Sequence, residues 1–315
     1  MTTQSIPDAR TRPAGSSASS PAPREACDAG GTRPRRRSLA WLGFTPFAAY
    51  VVLFLGVPAV IAVASGFFSA DGSITVANLR AFTDPTILKA FQGSLLVSIV
   101  SAVLGAVIGA LVCFALLGTR AEGLLRTVVD AVSSVLAQFG GVMLAFAFIA
   151  TVGFQGFVTL WIKSTFGYDI NGDGALLYKI PGLILPYTYF SVPLMVLTFM
   201  PAMEGLKATW GEAAATLGAT RRQYWTRIAM PVLAPAFFGS LLLLFANSFS
   251  SFATAAALLS QGGIVPLTIK QQLTSETILG VSNTAGVLAL GMLVIMVVVM
   301  FFYSLLQRRA ARWQR

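Results

Sequence analysis

Six long apolar stretches separated by polar ones set the outline of this chain. They fall near residues 39–68, 91–117, 127–152, 181–203, 231–259 and 281–306. Each is long enough to cross about 30 Å of hydrocarbon, which takes about 20 apolar residues in a helix. The pattern predicts an all-α, polytopic inner-membrane bundle of six transmembrane helices, since a lipid-exposed segment must satisfy its own backbone. Several stretches exceed the minimum length, so tilted helices or interfacial ends are expected. The third is the most interrupted, with Asp130 near its start and Gln138 within it. An even number of crossings puts both termini on one side.

Composition agrees: 56% of the residues are apolar or aromatic and only 11% are charged, a balance foreign to a water-soluble core. A net charge of +10 raises the question of nucleic acid, but the distribution of the charge answers it. Seven Lys and Arg precede residue 39, two follow the second stretch, four lie in 204–235 and four end the chain, against five in the alternate loops. By the positive-inside rule both termini and the 204–235 loop are cytoplasmic. The basic excess is topological, and no nucleic-acid partner is expected.

Residues 1–37 are rich in Ser, Ala, Pro and Arg without apolar periodicity, and read as a disordered basic tail. The run Arg33-Pro34-Arg35-Arg36-Arg37 precedes the first apolar stretch, and Ala62-Val63-Ala64 offers a small-residue cleavage pattern. That stretch is far longer than a signal peptide's apolar region, so it reads as an uncleaved first span; an Arg-pair export signal is the weaker alternative. The transmembrane domain is placed at 38–309 and a short basic cytoplasmic tail at 310–315.

The loop between the fourth and fifth stretches carries the most information. Its sequence, EGLKATWGEAAATLGATRRQYWTRIAMPVLAP, reads as two short helices around a break. Thr209 is the expected cap of the first, whose apolar positions are Ala213, Ala214 and Leu217. Gly218 suits a left-handed C-terminal cap. Thr220 and Gln223 have capping-box spacing, and Pro231 suits the first turn of the following span. A loop this long and amphipathic is a docking element more than a connector.

Its fixed positions are Glu212-Ala213-Ala214, then Gly218, then Ile228-Ala229-Met230-Pro231. This spacing resembles the EAA loop of the permease subunits of type I binding-protein-dependent ABC importers, with Met230 where Leu is usual. The resemblance covers roughly residues 91–309 and excludes the first forty. It implies that 204–231 forms a coupling helix seated in a cleft of a cytoplasmic ABC ATPase subunit. Glu212 would pair with a basic group there, Ala213, Ala214 and Gly218 would allow close approach, and Ile228 and Pro231 would complete the motif. It also implies a second permease chain, identical or homologous, and an extracytoplasmic solute-binding protein. ATP and magnesium would be held by the partner ATPase, with no cofactor on this chain.

What the sequence lacks points the same way. There is no P-loop for ATP, no nucleophile elbow and no histidine, so an enzyme is not expected. The span interiors hold essentially no charged residue, whereas ion-coupled carriers usually need one at depth. A secondary carrier is therefore the alternative, and a non-transporting membrane scaffold ranks third. Cys27 and Cys113 are too far apart in topology for a disulfide framework, and no metal site is expected. Asp169, Asn171, Asp173 and Gly174 match the start of an EF-hand loop, but Ile180 stands where its bidentate Glu belongs. An Asn/Gly/Asp turn is the plainer reading.

In the fifth stretch, Asn247, Ser250, Ser251 and Thr254 are spaced to share one helical face. Such a face lines a translocation path or binds a neighbouring helix. Gly105 and Gly109 of the second stretch are expected to permit close helix packing. The segment ANSFSSFATAAALLSQGG resembles the polyamine, phosphonate, ferric-iron and thiamine branch of these permeases, which would make the solute small and polar.

Overall fold

The computed structural model describes residues 40–69, 72–119, 123–168, 170–171, 176–259, 262–274 and 281–313. The expected disordered tail, Cys27 within it, and Asp169, Asp173 and Gly174 of the acidic turn lie outside these residues. The described residues are helical apart from turns and one isolated bridge between Phe68 and Ile74. Among the described residues, six helices are long and apolar enough to cross a membrane: Phe44–Ser65, Pro85–Leu116, Gly141–Phe166, Ile180–Glu204, Arg221–Ser250 and Asn283–Arg309.

The chain divides after Tyr50 into two units. What is described of the first belongs to α1 (Ala40–Val51), which contains Pro46 and sets the Phe44 and Phe47 rings 5.9 Å apart. The second unit begins with a π-turn (Val52–Gly56) and α2 (Val57–Ser65), which buries no residue of its own. Beyond α2, a methyl group placed on Gly286 would lie 2.4 Å from the Gly66 nitrogen, so the two backbones touch. Asn78 fixes this corner by donating to the carbonyls of Gly66 (3.1 Å) and Phe68 (2.9 Å).

The centre of the bundle is α3 (Pro85–Leu116) against α7 (Ile184–Glu204). Helix α3 starts six residues before the apolar stretch predicted from the sequence, because Asp84 accepts from the Thr86 N–H at 2.8 Å and Pro85 occupies the first turn. A stripe of small residues, Ser94, Ser98, Ser101, Gly105, Gly109 and Cys113, is buried along it. At Gly105 an added Cβ would sit 2.4 Å from the Ser191 Cβ, and at Gly109 2.5 Å from that of Met195. Both glycines therefore do what the sequence suggested: they let helices approach closely where lipid provides no hydrophobic drive.

The third apolar stretch is not one helix. It splits into α4 (Leu124–Gln138) and α5 (Gly141–Val152), and the chain then turns into α6 (Phe157–Phe166). Val129 of α4 packs in the cluster of Met200 and Met203 near the end of α7, while Leu144 and Ala145 of α5 pack with Tyr187 and Phe190 near its start. The two pieces thus run in sequence along α7, antiparallel to it, with α4 leading into the apolar run that begins at Gly141 and continues through α6. The fifth stretch is also divided, into α10 (Met230–Ser250) and α11 (Ala253–Leu258), where a continuous 231–259 helix was expected. After α12 (Val265–Thr274), the sixth helix, α13 (Val281–Trp313), runs past the predicted 306 and packs on α10 and α12.

Candidate coupling surface and translocation path

Between α7 and α10 the loop folds as two elements, α8 (Ala208–Thr216) and α9 (Arg221–Tyr224). Helix α8 begins one residue before Thr209. Lys207 occupies the cap position without a side-chain cap, so Thr209 is not the cap. The other end follows the sequence closely. Gly218 adopts φ +77°, its N–H donates to the Ala215 carbonyl at 2.9 Å, and the Ala219 N–H reaches the Ala214 carbonyl at 2.9 Å. This pair of bonds is a Schellman closure, and glycine enters the left-handed region without the Cβ penalty. Next, the Gln223 N–H donates to Thr220 Oγ1 at 3.3 Å and the Thr220 N–H to Gln223 Oε1 at 2.8 Å, completing the capping box.

A π-turn (Trp225–Ala229) links α9 to α10, with the Met230 N–H reaching back to the Trp225 carbonyl. Pro231 has no N–H for the Arg227 carbonyl and its ring would crowd that oxygen, so the wider turn absorbs the misfit. Edge-on contact of Trp225 with Phe114, with centroids 5.1 Å apart, ties this side of the loop to α3. Helix α8 rests on α9 where a methyl on Gly211 would stand 4.0 Å from the Tyr224 ring.

The motif residues divide by exposure. Ala214 is buried at 6% and faces the protein, whereas Glu212, Ala213, Gly218 and Pro231 are exposed and Ile228 is half-buried. Leu217, expected on the apolar face with Ala214, is 87% exposed. A cap residue carrying a bare leucine beside Ala213 and Glu212 makes an apolar and acidic surface with no covering partner among the described residues.

The polar set of the fifth stretch is redistributed by the helix break. Asn247 and Ser250 are exposed, Ser251 is half-buried in extended backbone, and Thr254 is fully buried on α11. They do not share one helical face, because the α-helix ends at Ser250. Four side-chain hydroxyls and an amide in eight residues compete for local backbone bonds, and Ser250 Oγ indeed donates to the Asn247 carbonyl at 3.3 Å.

Two bonds from distant residues hold the break. Tyr187 OH donates to the Ser251 carbonyl at 2.8 Å, and Thr254 Oγ1 donates to the Gly141 carbonyl at 3.1 Å. The second bond joins the two broken crossings, because Gly141 (φ +70°) opens α5. Its absent Cβ would contact Ala253 at 3.5 Å. Helical breaks within a membrane protein persist where protein re-satisfies the freed groups or where they line a cavity. Nearby positions add unspent polarity: the hydroxyls of Ser248 and Thr188 are buried without a hydrogen-bond partner.

Sequence reasoning missed Tyr187 and Gly141. The Gly140-Gly141 pair inside an apolar run was the available signal for a break; nothing in the sequence pointed to Tyr187. It also missed a cavity of about 340 Å³ between α7, α10 and α13, where Thr198, Ser240, Tyr303 and Gln307 meet two proline bends at Pro201 and Pro235. Asn171 of the acidic turn donates to the carbonyls of Val152 and Gly153, so its amide staples this loop to the end of α5. No group of three potential metal ligands occurs among the described residues.

Residues 172–312 match the model of the family described as binding-protein-dependent transport system inner membrane component. The chain is similar to the sulfate transport system permease protein CysT of Escherichia coli, at 28% identity over 170 residues, 54% of this chain. That match spans 58% of the length of the Escherichia coli protein. A CysW sulfate permease of Synechocystis is 24% identical over 247 residues, 76% of this chain and 84% of that protein. In fold, the chain resembles one from a bacterial ABC transporter involved in the import of the acidic polysaccharide alginate, with TM-score 0.66 and 16% identity over 86% of this chain and 95% of that one. The family match and six apolar helices together make this a multi-pass inner-membrane protein.

Proposed function

We propose that this chain is the membrane-spanning permease subunit of an ATP-driven, binding-protein-dependent importer. It forms half of a solute path and performs no hydrolysis itself. The observation that carries this reading is the ordered Glu212–Pro231 hairpin, capped at both joints and projecting between two crossings inside the family-matched region. Its partners are ATPase subunits that hold ATP and magnesium, a second permease chain and an extracytoplasmic solute-binding protein. Both termini and the hairpin are assigned to the cytoplasm on the Lys and Arg distribution.

In this mechanism Glu212, Ala213, Leu217 and Gly218 enter a cleft of the ATPase, with Ile228 and Pro231 fixing the hairpin to α10. Closure of the ATPase pair on ATP displaces the hairpin, and the broken crossings at Gly141 and Ser251 change their relative position. The path is assigned to the neighbourhood of that junction, with Asn247, Ser250, Ser251 and Thr254 around it. Nothing favours the secondary carrier: the ionisable pair Arg126 and Asp130 stands in the first two turns of α4, ahead of the span that begins at Gly141, and is internally paired.

For the solute we infer a small oxyanion of the sulfate class, because both relatives described above are named for sulfate. The likeness to the polyamine, phosphonate, iron and thiamine branch rested on one small-residue segment, and these relatives do not support it. Uptake of radiolabelled sulfate by cells expressing the chain with an ABC ATPase, a second permease and a solute-binding protein from the same source tests the reading. Uptake that requires ATP, and co-purification of a P-loop ATPase with a second permease, are expected. Uptake that survives ATP depletion would favour the carrier, and competition by a polyamine but not by sulfate would overturn the solute class.

A further inference from the structure

Just before the coupling hairpin, one arginine ties two crossings together. Arg126, in the first turn of α4, pairs with Glu204, the last residue of α7, and its Nε lies 3.9 Å from Asp130 Oδ2. The arginine side chain is only 12% exposed while both carboxylates are about half exposed, so the cation is tucked inward and the anions form the rim. Glu204 is separated from α8 by three residues, Gly205, Leu206 and Lys207. Beside the pair, a cavity of about 500 Å³ lined by Leu117, Thr119, Arg126 and Glu204 leaves the ends of α3, α4 and α7 room to shift.

The other end of α4 is the Gly140–Gly141 break, whose carbonyl at Gly141 is held by Thr254 of the fifth crossing. A continuous physical line therefore runs from the hairpin through Glu204 and Arg126, along α4, to the junction of the two broken crossings. Coupling between separated sites requires such a chain of packed and bonded elements. We infer that Arg126 is a positioning residue that carries displacement of the hairpin into the third crossing, so that the break at Gly141 moves with it. The inference rests on the permease reading above. Without the guanidinium, the hairpin would still dock on its ATPase, but α4 would no longer follow it.

Hydrogen–deuterium exchange on the complete transporter complex, with and without a non-hydrolysable ATP analogue, tests this. In the natural protein the analogue should alter exchange in residues 204–216 and in 124–138 together. In Arg126→Gln the response should persist in 204–216 and be lost in 124–138, with Arg126→Lys retaining most of it. Because a neutral residue could simply loosen α4, the exchange of 124–138 without nucleotide is compared as well. Restoration by Arg126→Glu combined with Glu204→Arg, in an Asp130→Asn background that spares the new glutamate a like charge, separates pairing from folding. An equal nucleotide response of 124–138 in natural protein and Arg126→Gln, or none in the natural protein, would overturn the brace. Failure to recover any ATPase with the natural chain would overturn the permease reading itself.

Discussion

The hairpin at 204–231 and the junction of the two broken crossings are both departures from continuous helix, yet they are held in opposite ways. Beyond its anchor at Glu204, the hydrogen bonds that cap the hairpin are local: Gly218 to Ala215, Ala219 to Ala214, and Thr220 with Gln223. The junction depends on partners 64 and 113 residues away, Tyr187 for Ser251 and Gly141 for Thr254. The hairpin stands exposed, where water can satisfy whatever its caps leave over. The bonds that hold the junction are part-buried within the bundle, where a freed carbonyl must find a protein donor. A capped hairpin can therefore be built from a short stretch of sequence, while a break inside the bundle must be built by the whole bundle.

The largest expected effect falls on function at the hairpin. Glu212→Lys should abolish ATP-dependent uptake while the chain still inserts, since the side chain is exposed and supports nothing in the fold. Uptake assays paired with membrane-fraction blots check this, and normal uptake would remove Glu212 from the coupling surface. Next comes the junction. Tyr187→Phe leaves the Ser251 carbonyl without its donor and should cost about 1–3 kcal/mol, read as a lowered unfolding midpoint in detergent.

Smaller effects should mark the hairpin's local construction. Gly218→Ala forces a side chain into φ +77° and should cost roughly 1–2 kcal/mol. That cost should appear as faster amide exchange confined to Ala208–Thr216, with the global midpoint almost unchanged. Thr220→Ala should cost about 1 kcal/mol through the lost cap, again visible only near Arg221–Tyr224. If either hairpin substitution lowered global stability as much as Tyr187→Phe, the contrast between local and distributed order would fail.

Much of the hairpin was legible before any coordinates. Gly218, the Thr220–Gln223 box and the special role of Pro231 follow from backbone chemistry within a few residues, and all three stand as expected. Two details were misplaced: the cap of α8 at Thr209 in place of Lys207, because a threonine in the first turn looks like a cap in sequence, and Leu217, expected on the apolar face but left exposed. The junction was legible only in part. Its polar residues were identified, but as one helical face, and the break at Ser250 scattered them.

The sequence by itself determined the number of crossings, the helical class, the capped hairpin and the close packing at Gly105 and Gly109, because hydropathy, capping and side-chain size act at short range. Only the tertiary structure decided where the third and fifth crossings break, that Thr254 faces Gly141 and not its own helix neighbours, and that Arg126 reaches Glu204. Those features require donors and charges from distant segments to meet within hydrogen-bonding distance. Helical periodicity extends along one helix and says nothing about which other helix lies beside it.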